Sequence, residues 1–461
     1  MSLTSLIYLG FLACVVALYW LVSRTRLRSW ILLLASYSFC AYVHPWFAGI
    51  LFYSTLVVYG GARSIGRSAR PTLYLGVATT ALLAPLVAFK YLDLLGSTTG
   101  WFLGLFGAEM SSATLGLVIP IGLSFYTLQG IGYLVDVYRT RSARQEGLLS
   151  VALFMAFFPR LAAGPIERRD HLLPQLQASR SWDWSHLEEG LPLIVVGLLK
   201  KLVVADNIAM YVDRIFLLQQ PSVWLLVVGS LGFTVQILAD FSGYTDIARG
   251  SARLLGIDLF ENFRSPYRAV SPSDFWRRWH ISLSTWIRDY LYIPLGGSRV
   301  PSRARFLLVL LVAMGLSGLW HGSGWTFLLW GFYHAVLLFA YHVSGRGGRW
   351  RPKTRIGMSL AWALMMGFTV AGWFLFRSPS VSWLVRSLSH LTWGFSGAEW
   401  VAGAGYLGMM LFFALPLVMV WVADTLYLRA RWIRGLCLGA AIVLIVLFAQ
   451  DAAQDFIYFR F

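Results

Sequence analysis

Residues 271–297 read SPSDFWRRWHISLSTWIRDYLYIPLGG, and residues 316–325 read LSGLWHGSGW. Between the two blocks, Phe306 to Trp320 is apolar except for Ser317 and ends directly on His321. Runs of this kind recur along the whole chain, so the reading of this one sets the class. About 17 to 25 apolar residues cross the hydrocarbon layer as a helix, because a helix satisfies its own backbone hydrogen bonds there. The expected fold is all-α: a polytopic integral membrane protein with about eleven transmembrane helices plus re-entrant and interfacial ones.

The basic block has a start signal. Ser271 suits a cap, Pro272 the first helical position, and Asp274 follows the cap by three residues. Trp276, Trp279, Leu283, Trp286 and Tyr290 then recur at spacings of three and four, and Asp274 stands one turn before Arg278. The spacing predicts one amphipathic helix from Ser271 to Tyr290, lying in the membrane interface with its aromatic bodies in lipid. That account leaves His280 unexplained, beside the aromatic face. His321 is flanked by Gly318, Gly322 and Gly324, which permit close approach. An ionisable group at membrane depth points to function, although a histidine satisfied by backbone carbonyls between helices would look the same in sequence.

Composition agrees with the class. Of 461 residues, 58% are hydrophobic and 13% charged, and mean hydropathy is +0.65. The formal net charge of +17 sits in clusters between apolar runs, such as RTRLR, RSIGRSAR, YRTRSAR and GRGGRWRPKTR. This is the positive-inside pattern and gives no sign of nucleic-acid binding. It puts the loops at Arg63 to Arg70, Arg139 to Arg144 and Arg346 to Arg355 in the cytoplasm. Cys14, Cys40 and Cys437 lie inside apolar runs without ligand spacing, so no metal site and no disulfide framework is expected.

In chain order, Leu3 to Val22 reads as a retained span followed by Arg24, Arg26 and Arg28. Further spans are read near 29–44, 46–62, 72–92 and 115–137. From Leu148 to Ile166 a shorter apolar run is broken by Pro159-Arg160 and Gly164-Pro165, which suits a re-entrant or kinked segment. Glu167 to Glu189 is polar and is expected to be a loop. Gly190 to Leu218 carries Lys200 and Lys201 mid-run and reads as one crossing plus an interfacial turn. Trp224 to Asp240 crosses next and ends in LADFSGYTDIARG, where Asp240, Tyr244 and Asp246 serve either helix packing or chemistry. Four more spans follow near 324–343, 357–376, 406–425 and 435–450. No fixed-period repeat, phosphate-cradling Gly-Lys-Ser/Thr loop, dinucleotide fingerprint or serine elbow is visible.

A neutral imidazole is the usual general base near neutral pH. In a membrane cavity it could take a proton from a hydroxyl that attacks an activated acyl group. Arg277, Arg278 and Arg288 suit a phosphate-rich acyl donor such as a coenzyme A thioester, and equally suit lipid headgroups.

The two histidine blocks resemble those of the membrane-bound O-acyltransferase family, in its bacterial polysaccharide branch. Further blocks share the likeness: GLSFYTLQGIGYLVDVYR from Gly122, FFPRLAAGPIERRDHLLPQL from Phe157, DFSGYTDIARGSARLLGI from Asp240, and the terminal FIYFRF. The likeness runs from about residue 5 to the end and implies a single transmembrane domain, 1–461, with helices ringed around a tunnel. It implies His321 as the catalytic histidine and His280 as the second histidine of this branch. It also implies acetyl-CoA as donor substrate with no separate cofactor, and O-acetylation of an extracytoplasmic polysaccharide such as alginate. A periplasmic or extracellular SGNH-type acetyltransferase partner, a polysaccharide synthesis and export complex, and a multi-pass place in the bacterial inner membrane follow from the same likeness. The competing readings are D-alanyl transfer to a cell-wall polymer, a secondary transporter of an acyl or small anionic substrate, and a non-catalytic scaffold. A transporter has no reason to carry the paired WRRWH and LWHG blocks.

Overall fold

A computed structural model describes residues 1–104, 106, 116–141, 146–389, 397–426 and 431–450. The terminal FIYFRF block and part of the Arg139 to Arg144 loop lie outside these residues. Every regular element among the described residues is a helix. Seven are long and apolar enough to cross a membrane: Pro45–Arg67, Pro71–Gly100, Val223–Leu254, Arg303–His321, Trp325–Val343, Arg355–Arg377 and Gly397–Trp421. Leu6–Leu21 and Ile433–Phe448 are apolar but shorter. The polytopic all-α class stands, with fewer full-length spans by this measure than the eleven expected. The difference lies in helices that are short, broken or charged, such as Thr25–Val43 with its N-terminal arginines.

The chain forms two compact units. The first comprises Met1–Leu191 and Ala248–Phe260. Its Leu148–Ala156 helix has nine residues, too few to span, and stops at Phe157, where Pro159 opens a further short turn, Phe158–Leu161. The kinked segment expected there is present, buried among Phe39, Phe154, Phe157 and Phe158. Gly122 has φ 71°, and a Cβ there would lie 2.0 Å from the Leu161 carbonyl oxygen. Only glycine allows that approach at the start of the Leu123–Thr140 helix.

The polar segment Glu167 to Glu189 is not the simple loop expected. It contains the Arg169–Gln177 helix and the start of Ser185–Leu198. Its polar groups are held: Gln129 Nε2 donates to Phe154 O at 2.6 Å and its Oε1 accepts from Glu167 N at 3.2 Å. The Glu167 carboxylate then takes Phe260 N–H at 2.7 Å and the His171 ring at 2.6 Å. That hydrogen bond raises the His171 pKa.

The second unit comprises Pro192–Ile247 and Glu261–Phe461. Gly190 to Leu218 has no interfacial turn. Helix continues through it as a π-helical stretch, Leu199–Ala205, into Asp206–Leu217. The wider π turn carries the two lysines. Lys201 Nζ lies 2.6 Å from Asp240 Oδ1 and 2.7 Å from Asp206 Oδ1, and Lys200 Nζ lies 2.6 Å from Asp246 Oδ2. The partners on Val223–Leu254 come close because Gly197 faces Gly243, each where a Cβ would meet the other's carbonyl oxygen. Arg303–His321 and Trp325–Val343 pack as a hairpin through the same device, Gly318 against Phe327 O and Gly331 against Met314 O.

Candidate active site

His280 and His321 belong to the second unit, and the structure brings them together. Their ring centroids are 6.2 Å apart, and the two residues are 0% and 1% exposed. His321 is the last residue of its helix, directly before the extended Gly322. His280 arrives differently. Ser271 does cap, its Oγ accepting from Asp274 N at 3.2 Å, but the helix it starts runs only from Pro272 to Trp276. A second helix, Ile281–Ile287, follows, and a π turn covers Arg288–Tyr292. Between the two helices His280 has φ 42° and ψ 55°, the left-handed region.

The single interfacial helix expected from Ser271 to Tyr290 is therefore wrong, for two physical reasons. First, Asn262 supplies partners for the second helix's start: its carbonyl accepts from Ile281 N at 2.9 Å and its Oδ1 from Ser282 N at 3.3 Å. Orphan donors at a helix start need such partners, so a break can form here. Second, Trp279 leaves the expected lipid face for the interior, where Phe275, Phe263 and Trp373 surround it with centroids 4.7 to 5.7 Å away. A full indole buried contributes more than an interfacial one. The backbone cost of a left-handed histidine, about 1–3 kcal/mol, persists only because this packing over-determines it.

Aromatic rings cage both histidines. Phe241 meets His280 edge-on at 4.6 Å and Trp320 lies 5.7 Å from it. Trp320, Trp330 and Phe376 stand 4.9, 5.2 and 5.6 Å from His321. Among the described residues neither ring nitrogen of His280 finds a hydrogen-bond partner on another residue, and the buried Trp276 Nε1, Trp330 Nε1 and Ser317 Oγ are likewise without partners there. Buried polar groups are normally satisfied, so this concentration marks a place for polar visitors. Burial pushes the His280 imidazole well below the ordinary histidine range, which keeps it neutral and able to accept a proton bond.

A cavity of about 1230 Å³ leads towards the pair. Phe306, Leu310, Met314 and Leu338 form its apolar wall, and Arg264, Arg277, Arg278, Arg288, Arg349 and Arg351 also line it. Neither histidine lines it directly. Ser317, one helical turn before His321, and Ser284, one turn after His280, do. Arg277 donates to Gly348 O at 2.7 Å and Arg278 bonds Asp274 Oδ1 at 3.1 Å, so both are anchored at the cavity with part of each guanidinium left over. Among the described residues no group of three metal-ligating side chains occurs.

The sequence pointed to both histidines and the two arginines, and showed Ser317 only as the polar interruption of an apolar run. It missed Asn262 and the cage residues Phe241, Trp330 and Phe376, which lie in separate blocks and carry no local pattern. It noted Lys201 and Asp240 separately. Two opposite charges in adjacent apolar runs were the available signal for pairing them.

Comparison with known proteins agrees with this architecture. The membrane-bound O-acyltransferase family profile matches residues 139–376, a stretch that contains both histidines. The chain is 36% identical over 399 residues to the probable alginate O-acetylase of Azotobacter vinelandii, covering 85% of this chain and 77% of that one. It is 33% identical over 403 residues to the peptidoglycan O-acetyltransferase of Helicobacter pylori, covering 80% and 74%. Similarity to the teichoic acid D-alanyltransferase of Bacillus subtilis is 28% over 283 residues, covering 56% and 69%. With its caged histidines inside the matched region and its multiple apolar spans, the chain belongs to the membrane-bound O-acyltransferase family.

Proposed function

We propose that this acyltransferase takes an acetyl group from acetyl-CoA on the cytoplasmic side and passes it across the inner membrane for O-acetylation of an extracytoplasmic polysaccharide such as alginate. The observation that carries the reading is the cavity that joins a rim of arginines to Ser317, one turn from His321. Its apolar wall suits a pantetheine arm, and its rim suits the phosphates behind that arm. The rim includes Gly347, Gly348, Arg349 and Arg351 of the basic loop that charge asymmetry assigns to the cytoplasm.

In the reaction, the neutral His321 imidazole accepts the proton of the acceptor hydroxyl as its oxygen forms a bond to the thioester carbonyl carbon. The carbonyl electron pair moves onto oxygen, where buried donors such as the Trp330 indole N–H offset the charge. Collapse breaks the carbon–sulfur bond, and the imidazolium returns its proton to the leaving thiolate. His280, held by the Asn262 break, orients the acceptor or shares the proton. The aromatic cage keeps water from the thioester. On the far side an SGNH-type partner within the polysaccharide synthesis and export complex receives or directs the acetyl group.

The test is purified protein with radiolabelled acetyl-CoA, with and without polysaccharide and partner. Thioester consumption that disappears in His321→Ala is the expected result. No turnover with any acyl-CoA overturns the proposal.

A further inference from the structure

The helix Arg355–Arg377 ends on a partly exposed ion pair that the acetyl transfer does not use. Arg377 Nη2 donates to Asp213 Oδ1 at 2.6 Å, and the two side chains are 18% and 27% exposed. The residue before the arginine, Phe376, is 1% exposed, and its ring stands 5.6 Å from the His321 ring. We propose that Phe376 is a shutter over His321, latched by the Arg377–Asp213 pair, and that this latch selects the acceptor hydroxyl over water as the acetyl group's destination. The inference rests on the acetyl-transfer reading above and adds the residues that set its choice of nucleophile.

Helix direction places the shutter. Arg303–His321 and Arg355–Arg377 both begin at basic segments and run away from them, so His321 and Phe376 lie at the ends opposite the cytoplasmic loops. The large cavity follows the first of these helices from Phe306 to Ser317 and stops one turn short of His321. Past that turn Phe376 packs edge-on against Phe327 at 4.9 Å, and His321 is 1% exposed. An acceptor hydroxyl from the far side therefore needs an opening. A permanent one would waste the donor, because water would add to the thioester carbonyl carbon as an alcohol does. Its proton would pass through the imidazole to the leaving thiolate, and acetic acid and the free thiol would be released. A ring that moves meets both demands.

The local structure suits such a movement. Phe376 sits in the last turn of its helix, where carbonyls run out of intrahelical partners and the chain opens most easily. Ser378 is buried and closes that turn with its hydroxyl on Phe374 O at 2.7 Å, so it becomes accessible when the turn opens. Arg377 ties the turn to the Asp206–Leu217 helix twice, through Asp213 and through its guanidinium carbon 5.2 Å from the Phe216 ring. That helix is itself held, since Trp383 Nε1 donates to Leu218 O at 2.8 Å. Partial exposure keeps the pair reversible. Water competes for both charges, so a pair of this kind holds weakly and opens readily, unlike the fully buried lysine pairs.

The experiment uses the full chain, in nanodiscs for kinetics and in intact spheroplasts for labelling. Acetate release from radiolabelled acetyl-CoA is measured with no acceptor present. Opening is read separately in a Ser378→Cys background, by mass spectrometry of position 378 after a membrane-impermeant maleimide is added from outside. Asp213→Ala and Arg377→Gln should each raise acetate release about two- to tenfold, and labelling at position 378 by a similar factor. The double variant should do no more than either single one, because one latch is broken only once. Wild-type acetate release and labelling in both single variants overturn the inference, as does a double variant whose effect is the product of the two. A fall in acetate release together with a lowered melting temperature also overturns it, because that is the mark of a purely structural pair. Loss of turnover with every acyl-CoA in the wild type removes the acetyl-transfer reading instead, and the labelling, which needs no donor, still decides the latch.

Discussion

Lys201 and His280 are both buried side chains of the second unit with an ionisable nitrogen, and their surroundings differ in kind. Lys201 Nζ contacts Asp240 at 2.6 Å and Asp206 at 2.7 Å. The His280 ring stands 4.6 Å from the Phe241 ring and 5.7 Å from the Trp320 ring, and among the described residues its nitrogens make no hydrogen bond to another residue. A buried charge costs several kcal/mol unless it is paired, so Lys201 comes with its counter-ions. A neutral imidazole costs only about 1–3 kcal/mol to leave unmet, which a fold of this size tolerates where the group has work to do. The lysine cluster fixes one helix against another, whereas His280 is kept available. The two clusters are also linked: Asp240 precedes Phe241, whose ring walls His280.

Mutations can separate the two designs. The largest expected effect is His321→Ala. Losing a general base should lower acetyl transfer about 10²- to 10⁴-fold, roughly 2.7–5.5 kcal/mol of barrier, while thermal unfolding in detergent stays near wild type. Radiolabel transfer and a melting curve on the same preparation check it, and wild-type turnover would remove His321 from the chemistry. Lys201→Ala should do the reverse. It leaves Asp206 and Asp240 buried together without their cation and should cost about 3–5 kcal/mol of stability. Replacing all three by Met, Asn and Asn should recover most of that loss, because paired charges and well-packed neutral groups are close in energy. If Lys201→Ala melts like wild type, the lysine cluster does not hold the two helices together.

Asn262→Ala probes what holds His280. The backbone carbonyl that receives Ile281 N remains, but the Oδ1 bond to Ser282 N is lost, a cap-like change worth about 1 kcal/mol. Activity should fall further than that, since His280 sits in a left-handed conformation that relaxes when its clamp loosens. Asn262→Asp keeps an acceptor and should rescue activity. Equal losses in both variants would mean that the Oδ1 acceptor is not what holds the break, and wild-type activity in Asn262→Ala would mean that the side chain is not needed for it.

These residues also mark how far the sequence could be read. The apolar runs, the cap at Ser271, the broken segment after Leu148 and the glycines beside His321 are local patterns, and each has its counterpart in the structure. The break at His280 is not local. Periodicity through Trp276, Trp279 and Leu283 predicts an unbroken helix, and tertiary packing overrides it with a buried Trp279 and a partner, Asn262, eighteen positions upstream. The Lys201 pairings likewise depend on how two helices meet at Gly197 and Gly243. The cage around His321 draws Trp330 and Phe376 from two different helices, and nothing in either helix announces that role.

The smallest expected effect falls on the rim. Arg277 and Arg278 are about 40% and 21% exposed at the side chain, and both share Asp274. Their contacts with a phosphate would be screened over about 10 Å at ordinary salt, and each is worth about 0.2–1 kcal/mol when partly exposed. Replacing both with Gln should therefore raise KM for acetyl-CoA about two- to tenfold, with little change in kcat, because these contacts are the same in ground and transition states. Added salt should shrink the difference between variant and wild type. A structural role makes another forecast. Arg277 ties the segment to Gly348 and Arg278 to the Arg264 carbonyl at 3.2 Å, so a loosened loop would lower kcat at every donor concentration and ignore salt. Anchoring to anionic lipid would show as recovery in liposomes that contain such lipid and none in neutral ones. Kinetics in detergent and in both liposome types separate the three, and an unchanged KM in all of them would take the arginine pair out of donor binding.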